Sequence, residues 1–303
     1  MHVFVTGGSG QTGPAVVAEL VAAGHTVTAL ARSDAAAARL ASLGAAPHRG
    51  SLDDLDRLRS GAEAADAVLH MAFGGDFSDL DDMRRRDRTA IQALGRPLEG
   101  TGKPFVSTSG TLVLPAGREA TEEDEPDASG LAAFRIAGER ACLDFAARGV
   151  RASVVRLAPT VHGPADHGFV PMLVATARKT GVSAYVGDGG NRWPAVHRLD
   201  AAVLFRLALE QAPAGSVLHG VAESGVTFRS IAETIARGLG LPTASLTPAE
   251  AATHFASPFM ATAYAFDGPV SSARTRGLLG WSPTGPTLLE DLEHGDYLTA
   301  PTA

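Results

Sequence analysis

A single cysteine, Cys142, stands among 303 residues, so no internal disulfide is possible, and its place in a helical stretch reads as a small core residue rather than a nucleophile. Tyrosine is almost as scarce: only Tyr185, Tyr264 and Tyr297 are present. Positive charge is in deficit, 26 Lys and Arg against 33 Asp and Glu, and the net charge of −7 argues against nucleic acid or an anionic membrane as the main partner. No run approaches the roughly 20 apolar residues of a membrane span. Because the N-terminus enters a strand directly, no signal peptide is expected and a cytoplasmic location is. Disorder is excluded as well, since 45% hydrophobic and 19% charged residues supply a large core.

What the chain has instead is glycine at meaningful spacing. Thr6-Gly7-Gly8-Ser9-Gly10-Gln11-Thr12-Gly13 lies between the apolar strand Val3-Phe4-Val5 and a helix beginning near Pro14. A tight strand-to-helix turn needs glycines so that backbone can approach a pyrophosphate, and the helix N-terminus offers unpaired N–H groups and a positive dipole end. Gly7, Gly10 and Gly13, with Gln11 and Thr12 between them, therefore predict a dinucleotide site; strand, helix and Pro14 supply the context that a bare glycine pattern lacks. The second strand, 25–31, ends in Arg32-Ser33, where an NAD site usually carries an acid for the ribose 2′-hydroxyl. A cation and a hydroxyl suit a 2′-phosphate, so NADP(H) is preferred to NAD(H), although Asp34 is adjacent and Arg32 read alone is a solvated charge.

Strands and helices then alternate as a parallel sheet requires. Further strands are expected near 46–49 and over 67–72, 104–107 and 151–157. Helices are expected from Ser51, from an N-cap at Ser78 to about Leu94, and over 130–148. The result is an α/β fold, a Rossmann-type doubly wound parallel sheet with a smaller C-terminal substrate domain. Residues 1–162 and 196–222 form the dinucleotide-binding part, 163–195 and 223–303 the substrate part. The ligand crevice lies at the strand C-termini, which adds Ser51, Leu52, Met71, Ala72 and Ser107 to the expected cofactor contacts. The acidic stretch 115–129 reads as a solvated loop.

The glycine turn, His70-Met71-Ala72, Val106-Ser107-Thr108-Ser109, Val161-His162-Gly163-Pro164, Gly187-Asp188-Gly189 with Val196-His197-Arg198-Leu199-Asp200, and Leu278-Leu279-Gly280-Trp281-Ser282-Pro283 together resemble the extended short-chain dehydrogenases/reductases, which include nucleotide-sugar epimerases and dehydratases. The resemblance implies an NAD(P)-dependent oxidoreductase, often a dimer through its fourth and fifth helices. It also implies a Tyr-x-x-x-Lys pair on the fifth helix, the tyrosine exchanging a proton with substrate and the lysine lowering its pKa and holding the ribose. Here Leu131 stands where tyrosine belongs and Arg135 where lysine belongs, so Arg135 is the remaining cofactor contact. No tyrosine of the chain is followed four residues later by lysine.

Three possibilities stay open: another residue transfers the proton, the reaction needs no such acid, or cofactor is bound without turnover. Among replacement donors, the hydroxyls of Ser107, Thr108, Ser109 and Thr111 end the fifth strand, Ser109 and Thr111 being preferred, and His162 follows the sixth with a side chain suited to proton transfer near neutrality. His70 could face the cofactor or be a satisfied core histidine. Trp193 and Tyr264, with Phe169 and Phe255, are candidates for an apolar substrate pocket. Only Arg192 and Arg198 are cationic in 187–198, which favours a small or apolar carbonyl compound over a sugar diphosphate. No metal cluster is expected. The reading is an NADP-dependent oxidoreductase, against an epimerase or dehydratase using nicotinamide transiently and a redox-silent NADP-binding sensor.

Overall fold

The computed structural model describes residues 1–74 and 79–299. Among them the larger sheet contains β1 (His2–Thr6), β2 (Thr26–Ala31), β3 (Ala46–Arg49), β4 (Ala67–His70), β5 (Pro104–Gly110) and β6 (Arg151–Leu157). A second unit contributes β7 (Thr160–His162), β8 (Ser183–Val186) and β9 (Arg192–His197) before the chain returns for β10 (Ser216–Gly220) and leaves again through β11 (Glu223–Thr227) and β12 (Thr243–Leu246). The large sheet runs β10-β6-β5-β4-β1-β2-β3 with every neighbour parallel. Its central strands carry apolar residues on both faces because both are covered: Val3 and Val5 pack on one side, Phe4 on the other, all fully buried. The strand order reverses between β1 and β4, and a crevice opens there at the carboxyl ends.

Helices α1 (Gly13–Ala22) and α2 (Asp34–Ser42) follow β1 and β2, and α3 (Leu55–Glu63), α4 (Leu80–Gly95) and α5 (Ile136–Leu143) cover the opposite face. The third helix begins at the Asp54 cap rather than at Ser51, since Asp54 accepts from the Arg57 N–H. The expected Ser78 cap lies outside the described residues; the cap seen is Asp79, accepting from the Asp82 N–H. The fifth helix is shorter than 130–148. Ala132 is off-helix at φ −112°, ψ 28°, and single turns at Ala133–Arg135 and Ala146–Arg148 flank a two-turn core. Of its apolar positions, Ile136 and Cys142 are buried within the chain. Burial also pushes the Cys142 thiol pKa up.

β10 is a seventh strand that the periodicity does not announce, because His219 and Gly220 interrupt so short an apolar run. Helices α6 (Phe169–Thr180), α7 (Arg198–Gln211), α8 (Phe228–Leu239), α9 (Pro248–His254), α10 (Pro258–Ala265), α11 (Ala273–Leu279) and α12 (Leu288–His294) complete the order. In the second unit β9 lies between antiparallel β11 and parallel β7, β8 pairs with β12, and the core is aromatic: Phe169, Trp193, Phe228, Phe255 and Tyr264 pack ring against ring. The C-terminal segment divides differently from the sequence reading, since Val270, Leu279 and Trp281 pack with the larger sheet's core. Trp281 donates its ring N–H to the Asp200 carbonyl at 3.0 Å, and the Asp200 carboxylate accepts the Thr284 and Gly285 N–H groups, so two distant motifs form one joint. Glu122 in the acidic stretch is not solvated; it is buried and accepts both donors of Thr275. Among the described residues no helix is long and apolar enough to cross a membrane.

Candidate active site

The glycine turn is built around contacts that a side chain would destroy. Gly7 has φ +78°, and a Cβ there would stand 2.6 Å from the Ala72 nitrogen; a Cβ on Gly13 would overlap the Gly7 carbonyl oxygen. Thr12, at the N-cap of α1, makes no side-chain cap bond, leaving the first N–H groups of the helix for a ligand. The cavity beside this turn, about 820 Å³, is lined by Gly7, Gly10, Gln11, Thr12 and Gly13, by Leu30, Arg32, Ser51, Leu52 and Asp53, and by Met71, Ala72, Phe73, Thr108 and Leu157. It crosses the strand ends from β3 to β6, five steps of ~4.8 Å or about 24 Å, the span of an extended dinucleotide. Glycine cradle, uncapped helix end and length together fit such a cofactor.

At the β2–β3 end, Arg32 is exposed on the cleft and has no ion pair among the described residues. Asp34, the neighbouring acid, is held away by Arg49 at 2.6 Å. Ser33 does not line the cleft; its hydroxyl caps α2 by accepting from the Ala36 N–H, a use that a capping position favours. Arg86 reaches the cleft from α4, clamped on Asp53 by two bonds of 2.8 and 2.7 Å.

At the β4–β6 end the outcome is mixed. Strand alternation directs Ser107 and Ser109 toward the α4/α5 side with Phe105, and Thr108 toward α7 with Val106. Thus Thr108 lines the cleft, whereas Ser107 is buried within the sheet. Ser109 and Thr111 are buried, and their hydroxyls, like that of Thr108, have no hydrogen-bond partner. Arg135 stands behind the cleft wall: its guanidinium carbon is 3.4 Å from the Phe73 ring centroid, Nη2 donates to the Thr108 carbonyl at 2.5 Å, and Nη1 is buried without a partner. Burial lowers its pKa, while the negative charges of Asp87 and Glu139 act the other way. Neither acid bonds to it: Asp87 takes His70 Nε2 at 3.3 Å and Glu139 is locked on Arg156. His70 is the satisfied core histidine, its Nδ1 2.7 Å from the Thr6 hydroxyl. Leu131 packs against the core of the second unit.

Three expected contacts fall elsewhere. His162 is fully buried outside the cleft, with Nδ1 2.8 Å from Asp291 and its ring edge-on to His197, because β7 pairs with β9 and turns away from the large sheet. Trp193 and Tyr264, expected at the substrate, are the centre of the second unit's aromatic core; Trp193 donates to the Phe266 carbonyl at 3.1 Å, and burial raises the Tyr264 pKa. Of the two arginines considered for a diphosphate, Arg192 is spent on Asp267, and Arg198 donates to the carbonyls of Gln11 and Pro164. Thr108, one of the four hydroxyls the sequence marks at the end of β5, is the one that lines the cleft. Phe73 and Arg86 carry no sequence signal, since each reaches the cleft only through packing.

The family model described as NAD dependent epimerase/dehydratase family matches residues 3–219. The chain belongs to that family, and by type it is an NAD(P)-dependent oxidoreductase of the extended short-chain class. It is 45% identical over 301 residues to an uncharacterised protein of Schizosaccharomyces pombe, covering 98% of this chain and all of that one. It is 29% identical over 238 residues to a 4-hydroxy-2-methyl-3-oxo-4-farnesyl-3,4-dihydroquinoline-1-oxide ketoreductase of Stigmatella aurantiaca, covering 76% of this chain and 71% of that one. In fold it is similar to DesIV, a dTDP-glucose 4,6-dehydratase from Streptomyces venezuelae solved with NAD and TYD bound, with a TM-score of 0.80, 19% identity and 98% and 96% of the two chains covered.

Proposed function

We propose that this chain is an NADP-dependent reductase of a small or apolar carbonyl compound that works without a Tyr-x-x-x-Lys pair. The observation that carries the reading is the row of hydroxyls ending β5, those of Thr108, Ser109 and Thr111, all buried and all without partners. A buried hydroxyl left unpaired costs about 1–3 kcal/mol, so three in one segment mark a place where a ligand oxygen completes the bonding. When bound, the nicotinamide supplies the hydride. Ser109 and Thr111 hydrogen-bond the carbonyl oxygen and hold the proton it takes up, a task Leu131 cannot do. His162 is instead held by Asp291 in the second unit. The ketoreductase named among the relatives supports reduction of a ketone.

Arg32 supports the choice of NADP(H) over NAD(H): a cation at the end of β2, open to the cleft, meets a 2′-phosphate where an acid would meet a hydroxyl. The test is initial rates with NADPH and NADH against a ketone panel for the wild type and Arg32→Ala. A loss of one charge-assisted contact should raise KM for NADPH about tenfold and leave KM for NADH unchanged. Equal effects on both cofactors would remove the assignment. Turnover without change in NADPH absorbance would point to the epimerase or dehydratase reading, and tight NADPH binding with no turnover of any ketone to the sensor.

A further inference from the structure

Among the described residues the guanidinium of Arg135 has no counter-ion, and its Nη1 is buried. No carboxylate lies within ion-pair distance of it among the described residues, one terminal nitrogen is satisfied by a carbonyl, the other is not, and Phe73 covers the planar face. An unpaired buried charge is among the costliest arrangements a fold can hold, and an arginine fork is the side chain best matched to a carboxylate. The nearby acids do not relieve it, because Asp87 and Glu139 are each engaged by another residue. Its Nη2 anchors on the Thr108 carbonyl, so the guanidinium abuts the segment that carries Ser109 and Thr111, and Ser109 shares its side of the sheet. Phe73 lines the cleft as well as covering Arg135, which places the guanidinium one ring's thickness behind the cleft wall.

From this juxtaposition we infer that Arg135 is the receptor for a substrate carboxylate, and that the substrate is an oxo acid whose carbonyl and carboxylate are close enough for Ser109 and Thr111 to hold the first while Nη1 of Arg135 takes the second. The inference rests on the proposed carbonyl reduction and narrows its substrate class. It also assigns a reason for arginine at a position where lysine would serve both a tyrosine and the ribose: with no tyrosine to activate, the donors not spent on the ribose can bind an anion, and a planar fork has more of them than an ammonium.

The experiment is calorimetric titration of the NADP⁺-loaded protein, in which no reduction can occur, with 3-oxohexanoate and with its methyl ester. The wild type should bind the acid at least about tenfold more tightly than the ester, the value of one charge-assisted contact. Arg135→Met, titrated with NADP⁺ held at saturation, should abolish that preference, and Arg135→Lys should keep part of it. Equal affinity of acid and ester in the wild type overturns the inference without requiring any variant to fold. So does an Arg135→Met protein that retains the preference but loses NADP⁺ affinity, because the guanidinium would then serve the ribose. The reading of the reaction fails separately: if NADPH is consumed with neither acid nor ester although the acid binds through Arg135, the carboxylate site stands and the reductase does not.

Discussion

Two buried polar clusters flank the glycine turn, and they are finished to different degrees. The first joins the loop 163–168 to the C-terminal segment. Asp166 accepts from Gln11 at 2.5 Å and from the Gly168 N–H at 2.6 Å, and takes the Tyr297 hydroxyl proton at 2.8 Å; Tyr297 in turn accepts from the Gly163 N–H, and His162 is paired with Asp291. The second, at the end of β5, leaves Thr108, Ser109, Thr111 and one nitrogen of Arg135 without partners. The first cluster carries five bonds and, among the described residues, one orphan, His162 Nε2, whereas the second has four orphans. The wired cluster belongs to the architecture, tying the C-terminus to the cofactor turn. On the proposed function, the open one is completed by what binds.

The comparison breaks most sharply under mutation of the open cluster. Ser109→Ala combined with Thr111→Val should lower kcat by about 10²–10⁴-fold, the value of a positioned proton donor, with NADPH affinity unchanged. Because apolar replacement removes unpaired groups, the melting temperature should hold or rise. Near-full activity in the double variant would sink the assignment of the hydroxyls.

In the wired cluster the effect should be on stability. Tyr297→Phe strands the Gly163 N–H and one Asp166 oxygen, which should cost about 1–3 kcal/mol in denaturant unfolding while kcat changes little. A large loss of kcat with unchanged stability would move Tyr297, whose pKa burial raises, into the chemistry.

The smallest effect concerns pH. Burial first, then the neighbouring His162 ring, lowers the His197 pKa, with Arg198 adding and Asp291 and Asp200 opposing. Below the ordinary histidine value of about 6.5 the unfolded chain therefore takes up a proton that the folded chain refuses, so stability falls as pH drops below it. His197→Gln should flatten that slope, measured as the unfolding midpoint against pH. A slope identical to the wild type's would show that other groups set it.

Sequence legibility followed the same division. Strands β1 to β6, the turn from Gly7 to Gly13 and the position of Arg32 are written in local pattern: a buried parallel strand is a short apolar run, and a pyrophosphate turn needs glycine where a Cβ would meet Ala72 or the Gly7 carbonyl. His162, Trp193 and Tyr264 looked like site residues for good chemical reasons, yet residue type says nothing of which way a strand turns after β6 or which aromatic ring meets another. That Leu131 and Arg135 replace the usual pair was plain in the sequence. That Arg135 lies under Phe73 with a nitrogen unpaired, and that Thr108 and not Ser107 reaches the cleft, were decided by the tertiary structure, because each depends on contacts between segments distant in the chain that no local propensity encodes.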